Sequence, residues 1–209
     1  MFKDRLNAGE ALSRRLFPYK GRRGFLILAI PRGGVIVGKA LSSELDLHLD
    51  VLVVRKVGAP GQPELAIGAV GPEETIVLDE KVIKDLDVEE EYIQKETEIK
   101  EREVKERIEK YRAGKTPLKL EGKSVILVDD GVATGATVEA AIKYLRGKRV
   151  EKLILAVPVA PKCLVKNLKK LVDEMLILEA RDDFFAVGDF YKDFSQVTDE
   201  EVIQLLQND

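Results

Sequence analysis

The stretch Ser124-Val-Ile-Leu-Val-Asp129-Asp130-Gly131-Val132-Ala133-Thr134-Gly135-Ala136-Thr137 limits what this chain can fold into more than any other. The unbroken apolar run from Val125 to Val128 reads as a strand buried on both faces, as central strands of parallel sheets are. Open α/β sheets gather their ligands at the carboxyl ends of such strands, and here that end carries two adjacent acids. Gly131 and Gly135 let the backbone approach a ligand closely, while Thr134, Thr137 and the N–H groups opening a helix offer donors to a phosphate. Asp129 and Asp130 suit sugar hydroxyls or Mg²⁺. An Asp-Gly pair can also mark a hairpin turn, but Ala136 to Leu145 carries a helical apolar period.

Other apolar runs at Phe25 to Ile30, Val51 to Arg55, Thr75 to Leu78, Leu153 to Val157 and Met175 to Leu178 read as strands. Helical patterns at Asp4 to Leu16, Val35 to Glu44, Thr137 to Arg146, Pro161 to Leu171 and Asp199 to Leu206 alternate with most of them. Alternation of this kind predicts an α/β fold, doubly wound, with a mostly parallel central sheet flanked by helices. At 209 residues and 45% hydrophobic composition, residues 1–209 are read as a single domain. Val88 to Arg112 breaks the alternation. Its dense Glu, Lys and Arg, with only Tyr92, Ile99, Val104, Ile108 and Tyr111 as an apolar stripe, predict a long solvated helix that Gly114 and Pro117 end.

Formal net charge is −3 with charges of both signs intermixed, which gives no reason to expect nucleic acid as a partner. No apolar stretch reaches the length of a membrane span, and Met1-Phe-Lys-Asp-Arg-Leu6 is unlike a signal peptide, so the expected compartment is the cytoplasm. One cysteine, Cys163, and one histidine, His48, exclude a disulfide framework, a His-dependent triad and a His or Cys zinc cluster; both are read as structural, Cys163 as packing.

Three further segments bear on chemistry. Ile30-Pro31-Arg32-Gly33-Gly34 joins a strand to a helix, with glycines exposing N–H groups and an arginine able to grip phosphate oxygens in a fork. Val54-Arg55-Lys56 ends a strand in two cations before a Gly- and Pro-rich stretch. Arg181 to Tyr191 is rich in aromatic residues that could cover a sheet edge or stack on a planar base.

The strand, two acids and small-residue loop at 124–137 resemble the signature of type I phosphoribosyltransferases: an apolar strand, two acids, two aliphatic or small residues, then Thr-Thr-Gly-x-Thr. Gly131 stands where an aliphatic residue is common and Ala133 where the first Thr is, so one hydroxyl is missing. The resemblance implies that residues 129 to 137 bind the ribose 5-phosphate of phosphoribosyl pyrophosphate (PRPP), with Asp129 and Asp130 as metal ligands. Pro31 to Gly34 look like the loop that holds pyrophosphate in purine enzymes. Arg55 and Lys56 match a pair that orotate enzymes carry at the root of a mobile loop, although the continuation Pro63 to Val70 does not match theirs. Phe185-Ala186-Val187-Gly188 is similar to the hood of hypoxanthine-type enzymes, which makes Phe185 the stacking ring and Val187 a source of backbone groups for the base. The resemblance as a whole implies a Mg²⁺-dependent transfer of phosphoribose to a nitrogenous acceptor, a purine-type base, with Arg32, Arg55, Lys56 and Asp130 as the catalytic set. Residues 58–118 would form a mobile loop and a helical insertion, and 180–209 a C-terminal hood and helix. A homodimer is compatible with this reading, and the alternative is a PRPP-sensing module without turnover.

Overall fold

The computed structural model describes residues 1–114 and 118–207; Pro117, the expected helix stop, lies outside them. The first part of the chain runs α1 (Arg5–Leu16), β1 (Phe25–Ala29), α2 (Gly33–Leu45), β2 (Leu49–Val51), β3 (Arg55–Ala59), β4 (Gln62–Gly71), β5 (Thr75–Leu78), α3 (Glu80–Asp85) and α4 (Glu90–Tyr111). It continues through β6 (Ser124–Val128), α5 (Ala136–Gly147), β7 (Lys152–Pro161), α6 (Lys162–Lys169), β8 (Glu174–Arg181) and α7 (Asp199–Gln207). Side chains cap helices where the sequence provides them. Asp4 accepts from Asn7 N at 2.8 Å to start α1, and Thr198 and Glu201 bond each other's backbone N–H groups in a reciprocal box at the start of α7.

Five parallel strands lie in the order β2-β1-β6-β7-β8. The chain first steps outward from β1 to β2, then returns to the other side of β1 as β6 and continues away. The order therefore reverses between β1 and β6, and doubly wound sheets bind ligands outside the carboxyl ends at such a switch point. Register sets Ala29 level with Val128, so the Arg32 turn and the Asp129–Asp130 pair leave the sheet side by side, as two loops on one crevice require.

Period-2 alternation divides the core. Ile27, Ala29, Ile126 and Val128 pack with Leu12, Leu41 and Leu45 of α1 and α2, while Leu26, Leu28, Val125 and Leu127 pack with Ile142 and Leu145 of α5. All five residues of β6 are buried, in keeping with its continuous apolar run.

Several expectations change. The run from Val51 to Arg55 is not one strand: β2 ends at Val51, and Arg55 opens a second, antiparallel sheet of β3, β4 and β5. β5 belongs to that second sheet. Residues 58–71, the first part of the stretch expected to form a mobile loop and helical insertion, are mostly the arms of a β-hairpin turning at Gly61, which has φ +70°. The hairpin escapes sequence patterning because Gly58, Gly68 and Gly71 interrupt its alternation, and Gly58 faces Pro63 too closely to carry a Cβ. α4 matches the predicted charged helix and buries only Thr97, Val104 and Tyr111. Cys163 is exposed rather than packed, because Leu164 and Leu168 take the inward side of α6.

Candidate functional site

At the end of β6 the two acids differ in their surroundings. Asp129 turns one oxygen, Oδ1, back to accept from Asp130 N at 2.8 Å. Burial, and then the charge of Asp130, hold its carboxyl well above the usual carboxylate range. Asp130 is paired: its Oδ2 accepts from Arg5 Nε at 2.7 Å, and its backbone carbonyl accepts from the Tyr191 hydroxyl at 2.6 Å. Arg5 is itself nearly buried, donates from Nη1 to the Ser195 carbonyl at 2.8 Å, and lies 3.8 Å from the centroid of the Phe194 ring.

Gly33 and Gly34 open α2 directly against these acids. A Cβ on Gly33 would overlap the Asp130 carboxylate, and one on Gly34 would sit 2.9 Å from Asp129 Cα. The glycine pair thus brings the first turn of a helix, whose N–H groups have no partners within the helix, up to two carboxylates. Arg32 immediately precedes them.

The loop that follows the acids is fixed by packing as well as by sequence. Gly131 has no room for a side chain, because a Cβ there would be 2.5 Å from Val187 Cγ1 and 2.7 Å from Val159 Cγ2. The departure from an aliphatic residue is therefore filled from the other side, by the hood. Val132, one of the expected substrate contacts, is buried in the core and gives its N–H to Val159 O at 2.9 Å, so it does not line the crevice. Ala133 and Thr134 are exposed, and Gly135 takes φ +86° to turn the chain into α5. Ala136 and Thr137 form the first turn of α5, half-buried, with their N–H groups at the helix end that favours anions.

In the aromatic segment, Phe184 stacks on Phe190 with centroids 5.1 Å apart, and Phe190 and Tyr191 are buried against Ala8 and Val159. Phe185 is 91% exposed, which removes the core as its destination. Val187 is half-buried with its isopropyl group on Gly131.

Two of the cations proposed for pyrophosphate, Arg32 and Arg55, are already engaged by carboxylates. Arg32 Nη1 is 4.0 Å from Asp199 Oδ1 of α7. Arg55 Nε is 3.2 Å from Glu103 Oε2 of α4, and its pKa is lowered by burial and by Arg107, an effect that Glu103 partly offsets. Lys56 and Arg55 share a cavity with Thr137 at the start of α5. Asp199 also accepts from Lys110 Nζ at 2.7 Å and from the Tyr111 hydroxyl at 2.6 Å, which brings its carboxyl down to about 2. Among the described residues no cluster of three or more metal-ligating side chains occurs.

Sequence reasoning missed Arg5 and Tyr191. For Arg5 the signal existed: Ala8, Leu12 and Leu16 mark the buried face of α1, and the same helical period run backward lands on Arg5. A charge on an otherwise apolar stripe asks for a buried partner. Nothing local distinguishes Tyr191 from its aromatic neighbours.

A doubly wound sheet with two acids, a glycine-lined helix start and a small-residue loop at its switch point defines an α/β protein with a candidate ligand crevice at the carboxyl ends of its strands. Residues 3–195 match the phosphoribosyl transferase domain, and the chain belongs to that family. It is 38% identical over 206 residues to the Mycobacterium tuberculosis proteins Rv0571c and MT0597, both provisionally named phosphoribosyl transferases. The alignment covers 99% of this chain and 46% of those proteins, so the chain spans about half the length of these curated relatives. The crystal structure of TT1426 from Thermus thermophilus is 40% identical with a TM-score of 0.89, covering 99% of this chain and 98% of that one. No helix of the described residues is long and apolar enough to cross a membrane.

Proposed function

We propose that this chain transfers phosphoribose between PRPP and a nitrogenous acceptor, a purine-type base, with release of pyrophosphate. The observation that carries the reading is the meeting of Asp129, Asp130, Gly33 and Gly34 at the switch point beside the loop of residues 131–137. In that arrangement the 5-phosphate goes to Thr134, Thr137 and the α5 start, the ribose hydroxyls go to the acids, and the pyrophosphate lies towards the Gly33–Gly34 turn and the cations beyond it.

C1 of the ribose gains positive character as pyrophosphate departs, so rate enhancement comes from stabilising the leaving group and excluding water rather than from a protein nucleophile. Arg32, Arg55 and Lys56 supply positive charge for the first. The carboxylate partners of Arg32 and Arg55, Asp199 and Glu103, sit where anionic oxygens are favoured. The donor set also fits Mg²⁺, since two adjacent carboxylates are hard oxygen ligands and Arg5 occupies only one Asp130 oxygen. When bound, Mg²⁺ would be held by Asp129 and Asp130 and would offset charge on the phosphates. Phe185 is exposed and so free to stack on an acceptor ring.

The test is pyrophosphate release from PRPP across a panel of bases with Mg²⁺, in wild type and in Asp129→Asn/Asp130→Asn. The expected result is turnover with a purine-type base in wild type and loss of PRPP binding in the double variant. PRPP binding without release for any base would instead leave a sensing module. Unchanged binding in the double variant would remove the acids from the site.

A further inference from the structure

The long charged helix α4 reaches the cations assigned to pyrophosphate. A cavity of about 350 Å³ is lined by Arg55 and Lys56 of β3, Lys100 and Tyr92 of α4, and Thr137 of the phosphate loop. Lys100, half-buried, holds Glu103 Oε1 at 2.7 Å, while Glu103 Oε2 lies 3.2 Å from Arg55 Nε. One carboxylate therefore bridges two cations, using an oxygen for each. The Tyr92 hydroxyl donates to the Gly58 carbonyl at 3.0 Å and fastens α4 over the end of β3. Glu96 also lines the cavity and Arg107 acts on Arg55 from the next turn, so the surroundings contain charges of both signs around a cationic centre.

Resting on the PRPP reading above, we infer that α4 completes the pyrophosphate subsite, with Lys100 as a third cation beside Arg55 and Lys56 and Glu103 as the internal anion that pyrophosphate displaces. A carboxylate that grips two cations with separate oxygens makes the contacts that two oxygens of a phosphate would make. Its presence keeps Arg55 and Lys100 pointed at one place, and it competes with the incoming anion.

Two substitutions in the same helix should therefore act in opposite directions. Lys100→Gln removes a cation and should weaken binding of inorganic pyrophosphate roughly tenfold, whereas Glu103→Gln removes the competitor and should tighten it by roughly threefold or more. Binding is read by calorimetry on the full chain with Mg²⁺, with ribose 5-phosphate as a second titrant and thermal melting alongside. Ribose 5-phosphate affinity should stay within about twofold of wild type in both variants, and Lys100→Arg should recover most of the pyrophosphate affinity. Pyrophosphate affinity unchanged in both variants, or weakened in both alongside a lower melting temperature, would overturn the role of α4 and reduce the helix to packing. If ribose 5-phosphate still bound in wild type in that case, the transferase reading would survive. Wild type binding neither ligand would end both.

Discussion

Two regions of the molecule reach the crevice by opposite means. On the sheet side, Gly33, Gly34 and Gly131 meet the acids and Val187 at distances that admit no Cβ, and a nearly buried Arg5 is locked on Asp130. On the α4 side, partly exposed charged chains carry most of the contacts: Arg55 and Lys100 on Glu103, and Arg32 and Lys110 on Asp199, which the buried Tyr111 also bonds. Close packing has one solution, so the first region holds its groups in a single arrangement. Ion pairs between long side chains exchange partners at small cost, so the second can give way to an anionic ligand.

The contrast can be broken most severely at Arg5. Arg5→Met should cost about 3–5 kcal/mol of stability, because it leaves Asp130 without its cation and also removes the stack on Phe194. Chemical denaturation measures the loss; a cost below about 1 kcal/mol would mean that the sheet side is no stiffer than the α4 side. Next in size is Gly131→Val, which restores the aliphatic residue common in the family and should cost about 1–3 kcal/mol through collision with Val187 and Val159. Pairing it with Val187→Ala should return part of that, which a double-mutant cycle reads directly.

On the α4 side, Asp199→Asn should have a smaller effect that depends on pH. The folded pKa of Asp199, about 2, lies below its ordinary value of 3.8, so its contribution to stability is complete above that ordinary value and disappears as pH falls towards 2. Melting temperatures of wild type and Asp199→Asn should therefore differ at neutral pH, draw together below pH 3.8 and converge only near pH about 2. Convergence in the opposite direction would show that Lys110 and Tyr111 do not stabilise the charged form. The smallest effect is expected at Phe185→Ala, within about 0.5 kcal/mol by denaturation because the ring is exposed. Use of the acceptor base should suffer in that variant; equal activity with every base would take Phe185 out of the acceptor wall.

The parallel sheet was legible because its strands are continuous apolar runs and its helices carry a 3.6-residue period, both set by burial. β6 and its two acids were placed from Val125 to Val128 alone. The hairpin of β3 and β4 was not legible. Its strands straddle glycines and a Pro, its residues are held by cross-strand pairing rather than by an alternating face, and Val51 to Arg55 looks continuous although the chain changes sheets within it. The placement of the acids and the small-residue loop was legible because both follow directly from β6. The site was not legible where side chains converge from distant elements, as with Arg5 on Asp130 or Glu103 on Arg55. Val132 shows the converse error, since a residue inside a motif can spend both its side chain and its N–H on the core.

The reach of Arg5 also bears on how the protein comes together in time. Its guanidinium joins Asp130 and the Ser195 carbonyl across 125 and 190 residues of chain. Contacts with such separations close late, after the local helices and turns have formed. Severing the polypeptide at the Pro60–Gly61 turn would leave Arg5 and Arg32 on one fragment, and Asp130, Thr134 and Ser195 on the other. Neither piece alone could recreate the pocket, but the two mixed together have every group needed to complement each other and regain ligand.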